Sequence, residues 1–211
     1  FYGTENHQVV SNGNKVEVKD ASSIDIIRGE YHFDVTLDPQ DVMDGLVIGD
    51  GSVHKASNNL VHLFIGTEDE DYFTSEVSHL INKHRPGLAD RAWEISTTIN
   101  WDELDYTYNR SIPERFFYGN RNKVAGFLRG LYSANGSICG ERITLKTASR
   151  KICETVQLML SSLGIGSYYT TNKPSKIKWS NGEYDSKESY DVNITVDRDK
   201  FLSIIGFIQN Y

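Results

Sequence analysis

The sequence predicts an α/β protein made of two copies of one unit, related by a pseudo-twofold and each reading helix–strands–helix–strands–helix. Three observations carry this. First, a nine-residue pattern occurs twice, as Met43-Asp44-Gly45-Leu46-Val47-Ile48-Gly49-Asp50-Gly51 and as Leu128-Arg129-Gly130-Leu131-Tyr132-Ser133-Ala134-Asn135-Gly136. Internal repetition at this spacing points to a duplicated supersecondary unit. Second, helix-compatible residues precede each copy: Asp41-Val42 in one, Lys123 to Phe127 in the other. Third, each copy continues as Gly-Ser, a β-like stretch and an amphipathic helix.

The elements follow in order. In the first copy the strand is Leu60 to Ile65. The helix after Thr67 has Tyr72, Phe73, Val77, Leu80 and Ile81 at helical spacing. Ala92 to Ile99 is a second strand, and a closing helix is expected at Trp101–Tyr108. Asn109–Asn120 joins the copies. In the second copy Arg142 to Lys146 is the strand. A helix is expected from Ser149 to Leu163, with Ile152, Val156, Met159, Leu160 and Leu163 on one face, ended by Gly164 and Gly166. Further strands are expected at Gly166–Thr171, Lys176–Trp179 and Ser189–Val196, with a turn at Asn181-Gly182. Asp199–Gln209 is the second closing helix. Residues 1–40 differ: Val9-Val10, Asn12-Gly13 and Lys15 to Val18 suggest a β-hairpin. The expected division is residues 1–40, 41–120 and 121–211.

The 211 residues suffice for one good core or a core with a small appendage. Apolar residues make up 38% and no apolar run approaches the roughly 20 residues of a membrane helix, so no membrane is expected. Phe1-Tyr2-Gly3-Thr4 lacks a basic start and an apolar stretch, so a cytoplasmic protein is expected. Cys139 and Cys153 lack metal-ligand spacing and read as reduced thiols. The net charge of −7 argues mildly against a DNA binder, because phosphates are met with Lys and Arg. More than half of it sits in residues 1–40, where Lys15, Lys19 and Arg28 stand against seven acids. A binding surface depends on local charge.

Within the repeat, Gly45 and Gly49 share one helix face, as do Gly130 and Ala134. Small residues there let two helix backbones approach closely. Side by side, such helices bring Asp50 and Asn135 together at one edge. Adjacent oxygen ligands of this kind select Mg²⁺ or a similar hard ion, which can activate water against a phosphodiester. The bland alternative is plain helix packing, with Asp50 and Asn135 as turn residues before glycine.

These residues resemble the LAGLIDADG homing endonucleases, specifically single-chain members borne by inteins, over roughly residues 39–208. Ile143 to Ser149 and Val156 to Ile165 add to the likeness. The resemblance implies two saddle-shaped antiparallel sheets over the DNA major groove, with the motif helices packed at the centre. It implies site-specific cleavage of a long double-stranded DNA target by a monomer with Mg²⁺, or Mn²⁺, Ca²⁺ being a non-catalytic substitute. The metal would lie at Asp50 and Asn135, with Gly49 and Ala134 beside them. Lys146 and Arg198 are candidate transition-state stabilisers, surface charge being the alternative for each. Candidate DNA readers are Ser52, His54, Lys55 and His62 in the first copy, and Arg142, Lys146, Lys173, Lys176 and Lys178 in the second. For the Lys173–Lys178 stretch the alternative is a soluble hairpin tip.

Asn135 departs from the family, which has Asp there. Three readings stand open: an inactivating replacement, a natural nickase or altered metal site, and a binding-only relic. A DNA- or RNA-binding protein without cleavage, regulator-like or maturase-like, is the competing function class, and a structural insert is a third. Thr4-Glu5-Asn6-His7 resembles the Thr-x-x-His block of intein splicing domains, with Thr4 and His7 as the matching residues; a surface hairpin with an incidental His7 is the alternative. With Phe1 at the start and Asn210-Tyr211 at the end, the chain is expected to be a non-splicing fragment of a longer intein.

Overall fold

The structure is a computed structural model, and it describes residues 4–24, 34–54, 60–66, 68–85, 92–179 and 182–209. Lys55 and Thr67 lie outside the described residues. The chain divides into two compact units, residues 1–31 and residues 32–211.

In the first unit, β1 (Gln8–Ser11) pairs antiparallel with β2 (Asn14–Glu17). Asn12 and Gly13 make the two-residue turn, with φ of 51° and 75°. Both angles are positive, and Asn-Gly tolerates that at the least cost while matching the twist of the strands. Ahead of β1, the Thr4 carbonyl accepts the His7 N–H at 2.9 Å, so Thr4 and His7 stand within one exposed turn.

The second unit is organised around two helices. Asp38 caps α1 (Pro39–Asp50) by accepting from the Gln40 N–H at 2.9 Å, and Pro39 occupies the first turn, where its missing N–H costs nothing. Asn120 caps α4 (Arg121–Asn135) in the same way, accepting from the Lys123 N–H at 2.9 Å. Residues 41–48 of α1 are all buried. A helix buried on every side lies at the centre of a protein rather than on its surface.

Each central helix runs into a four-stranded antiparallel sheet. In the first repeat the strands are β3 (Ser52–His54), β4 (Leu60–Phe64), β5 (Ile81–Arg85) and β6 (Ala92–Ile95), in the order β3-β4-β6-β5. In the second they are β7 (Gly136–Cys139), β8 (Arg142–Thr147), β9 (Tyr168–Asn172) and β12 (Ser189–Ile194), in the order β7-β8-β12-β9. The two orders are the same path, with the fourth strand inserted between the second and third. A helix separates the second strand from the third in both: α2 (Glu70–Val77) and α5 (Arg150–Ser162). The second repeat adds one hairpin, β10 (Ser175–Trp179) with β11 (Gly182–Ser186), before its last strand. The mixed α/β architecture expected from the sequence is therefore present.

Alternation sets the faces of each sheet. Ile143, Leu145, Tyr190, Val192 and Ile194 are buried in the core. Thr144 and Lys146 lie opposite Asn193 and Asp191 on the other face, which is polar. In β4 the same rule buries Val61 and Leu63 and leaves Phe64 outward.

Some expected elements differ. The closing helix at 101–108 reduces to a 3-10 turn, Trp101–Glu103. Trp101 and Tyr106 are exposed, so a longer helix would have no apolar face to bury. The turn is held instead by Asn100 and Glu103, and Arg115 grips both Glu103 oxygens, at 2.5 and 2.8 Å. The second closing helix, α6 (Arg198–Ile204), stops early at Gly206, whose φ is 60°. The chain then turns back to α4, where the Ile208 N–H donates to Ser133 Oγ at 2.9 Å. Within the linker a short helix, α3 (Glu114–Phe117), buries Phe116 against Phe127.

Candidate DNA-cleavage cleft

The two central helices pack in parallel with matched register. A methyl group at Gly45 would overlap the Phe127 carbonyl oxygen and lie 2.9 Å from the Leu131 nitrogen. One at Gly130 would overlap the Val42 carbonyl oxygen and lie 2.8 Å from the Leu46 nitrogen. Each glycine thus meets the motif-equivalent of the other's neighbours. Near the N-terminal ends Gly126 faces Asp41, and at the C-terminal ends Gly49 faces Ala134 and the Asn135 side-chain nitrogen. Glycine serves at 45 and 130 because backbone touches backbone.

Polar contacts tie the helix pair down. Arg129 of α4 holds Glu76 of α2 in the other repeat, with N–O distances of 2.6 and 2.9 Å. Lys123 reaches Asp41 at 2.7 Å, again across the repeats. Asp44 is buried and accepts from Thr97 Oγ1, the Thr98 N–H and Thr98 Oγ1 at 2.6, 2.8 and 2.5 Å. These contacts turn the charged second position of each motif into an anchor.

Parallel packing delivers both helix C-termini to one place. Asp50 and Asn135 line a single cleft, with Gly49, Ser52, Lys146 and Arg110 among its other walls. Asp50 is exposed at the cleft that it lines. Partial burial pushes its pKa above the ordinary carboxylate value, and the Arg110 guanidinium pulls it back. Burial likewise lowers the Arg110 pKa, opposed by Asp50 and Asp105.

The sequence reading missed Arg110. It lies in the inter-repeat linker, outside any motif, and only the return of the chain to the end of α1 brings it in. Its Nη1 donates to the carbonyls of Ile48 and Gly49 at 2.9 and 3.2 Å, and its Nη2 to that of Gly51 at 3.2 Å. In the second repeat Gln209 has the matching place, donating to the Ser133 carbonyl at 3.1 Å.

The other candidates divide. Arg198 and Arg142 line a separate cleft with Glu141 and Asp199. The antiparallel register explains why: Asp191 is opposite Lys146, while Ile194 is opposite Ile143, so the chain leaves β12 at the end of β8 away from Thr147. Arg198 is therefore not a wall of the cleft that holds Asp50. His62 is buried, which withdraws it as an open DNA reader, whereas Ser52 is exposed. His54 belongs to β3, opposite Leu60. Lys176 and Lys178 are exposed on β10 but stand opposite Asp185 and Glu183 of β11. That pairing of opposite charges removes most of the basic character read from the sequence. Lys173 instead shares a groove with Lys146 and Lys187, the latter placed by its contact with the Tyr108 ring at 4.3 Å.

Among the described residues no cluster of three His, Cys, Asp or Glu side chains stands ready to hold a metal. One carboxylate and one amide oxygen in an open cleft fit a hard divalent ion that takes its remaining ligands from water and phosphate.

Residues 122–206 match the family model of the LAGLIDADG-like domain. A solved structure of mesophilic variants of the homing endonuclease I-DmoI is similar at 20% identity, with a TM-score of 0.50, over 80% of this chain and 94% of that one. Two curated relatives are each 28% identical. One is a probable translation initiation factor IF-2 of Pyrococcus horikoshii, over 54% of this chain, and the other a replication factor C small subunit of Thermococcus kodakarensis, over 77%. The matched segments are only 11% and 19% of those proteins' lengths. Residues 122–206 thus match the LAGLIDADG-like domain, and the chain shares the fold of the homing endonuclease I-DmoI.

Proposed function

We propose that the chain is a site-specific, divalent-metal-dependent DNA endonuclease of the intein homing type, acting as a monomer in the cytoplasm. The observation that carries this reading is the convergence of Asp50 and Asn135, the last motif residues of two parallel helices, on one cleft beside Lys146. In a duplex the two scissile phosphates belong to opposite strands, and a paired site of this kind addresses one with each half. I-DmoI is described as a homing endonuclease, which lends support by fold. The inserted character has its own support. A translation factor and a replication factor have unrelated tasks, yet each contains one short segment similar to this chain. A mobile element lodged in different hosts leaves that pattern. Thr4 and His7, held in one turn ahead of β1, fit a remnant of the splicing block. On this reading residues 1–40 are that remnant, and 41–120 and 121–211 are the two endonuclease repeats.

In the proposed mechanism Asp50 and the Asn135 amide oxygen would hold Mg²⁺ or Mn²⁺, with Ca²⁺ as a non-catalytic substitute. The ion, when bound, lowers the pKa of water and offsets charge on the leaving oxygen. Lys146 stands on β8 at the cleft wall and steadies a phosphate oxygen. Lys173 and Lys187 continue the basic line from Lys146 along the groove and hold the backbone on that side. The polar faces of the two sheets, with Ser52 and Thr144, meet base edges.

Asn135 favours a second reading, binding with nicking or without cleavage, because an amide holds a cation more weakly than a carboxylate. The test is a cleavage assay on a duplex selected by binding from a random library, with Mg²⁺, using the chain and Asn135→Asp. The endonuclease reading expects the Asp variant to cut both strands and the parent to cut slowly, on one strand or not at all. If the Asp variant binds tightly and cuts neither strand, the chain is a binding protein.

A further inference from the structure

The linker residue Arg110 joins the motif helix of one repeat to the other repeat at the floor of the cleft. Its guanidinium spans the carbonyls of Ile48, Gly49 and Gly51, the groups that a helix leaves without partners at its C-terminal end. A cation there also offsets the negative end of the helix dipole. Its own carbonyl accepts a hydrogen bond from Ser149 Oγ at 2.5 Å. Ser149 is the N-cap of α5, where Oγ also accepts from the Ile152 N–H at 3.3 Å. A single residue therefore connects the last turn of α1, which carries Asp50, to the first turn of α5 in the second repeat. Arg110 also lines the cleft itself. The second repeat makes the matching contact to Ser133 with uncharged Gln209.

We propose that Arg110 is a positioning residue of the cleft, clamping the turn that carries Asp50 to the N-terminus of α5 and so holding that carboxylate where it can bind a divalent cation. The part concerning the cation rests on the endonuclease reading; the clamp does not.

Position and charge make opposite forecasts. Were Arg110 merely a nearby positive charge, its removal would strengthen cation binding at Asp50. If it positions the carboxylate, removal weakens binding, by about 10-fold or more, the scale for residues that orient metal ligands. The experiment uses the chain as it stands and its Arg110→Gln and Arg110→Lys variants. Mn²⁺ affinity is measured by titration calorimetry, and backbone hydrogen exchange is followed by mass spectrometry. Arg110→Gln should weaken Mn²⁺ binding and speed exchange in the last turn of α1 and the first turn of α5, leaving the middle of α4 protected. Arg110→Lys, which keeps the charge and loses the fork that spans three carbonyls, should fall on the same side. Unchanged exchange in both turns overturns the clamp. Faster exchange with Mn²⁺ binding unchanged or tightened overturns the positioning role. If the parent binds no Mn²⁺, the endonuclease reading fails instead, and the exchange result alone decides the clamp.

Discussion

Asp50 and Asn135 occupy one position in two repeats, but their surroundings differ. Asp50 has a cation at its helix end; Asn135 has Gln209 near its own, at Ser133. Because burial raises the Asp50 pKa above 3.8, its ionised form is disfavoured in the folded protein. Ionised Asp50 thus lowers stability above its folded pKa, and that penalty disappears as pH falls through it toward the unfolded value. Asp50→Asn should therefore raise the melting temperature at neutral pH without metal, with the gain shrinking near pH 3.8; melting curves at both pH values check this. An equal gain at both would remove the electrostatic explanation. Asp44 is a buried carboxylate that accepts from four donors, Gln40 Nε2, Thr97 Oγ1 and both the N–H and Oγ1 of Thr98. Asp44→Ala should cost on the order of 1–3 kcal/mol for the orphaned groups, read by urea unfolding. Asp50 and Asn135 were legible in the sequence because a repeated motif ends on them. Asp44 was visible as a motif position, but its partners Thr97 and Thr98 lie beyond four strands and a helix. Arg110 left no local signal at all, since its role comes from where the chain returns.

Among the elements, the two motif helices were the most legible, because small residues four apart recur in both copies. The structure adds the reason for their tight contact: at Gly45 and Gly130 the neighbour is backbone, which cannot rotate away. Gly45→Ala and Gly130→Ala should each cost about 1–3 kcal/mol through overpacking, measured by chemical denaturation. A neutral result would mean that the helices separate easily. The helix expected at 101–108 failed for a physical reason: Trp101 and Tyr106 are exposed, so a helix there had no core to serve. The short strands β3 and β7 escaped notice because their few residues leave too brief an alternation to read. The turn expected at Asn181-Gly182 lies partly outside the described residues, and Gly182 already belongs to β11, a strand the sequence reading did not name. Only the register puts Asp185 and Glu183 across from Lys176 and Lys178.

For the whole molecule, a net charge of −7 means that the proposed DNA binding depends on a local basic line. Lys146, Lys173 and Lys187 form that line beside the cleft. Replacing Lys173 and Lys187 by Ala should weaken binding and flatten its salt dependence, whereas replacing Lys176 and Lys178 should do much less. With six or more phosphates engaged, affinity should fall on the order of a thousandfold between about 50 and 200 mM salt, followed by fluorescence anisotropy. The most direct test of the central claim, that the paired motif ends form a metal-dependent cutting site, is strand-resolved cleavage of a binding-selected duplex. It would compare the chain, Asn135→Asp, and Asn135→Asp combined with Asp50→Asn, all in Mg²⁺. The account predicts double-strand cutting by Asn135→Asp, a loss of at least roughly a hundredfold in the present chain, and loss again when Asp50 is also changed, with DNA affinity nearly constant. Tight binding by all three proteins with no cut in either strand would contradict it.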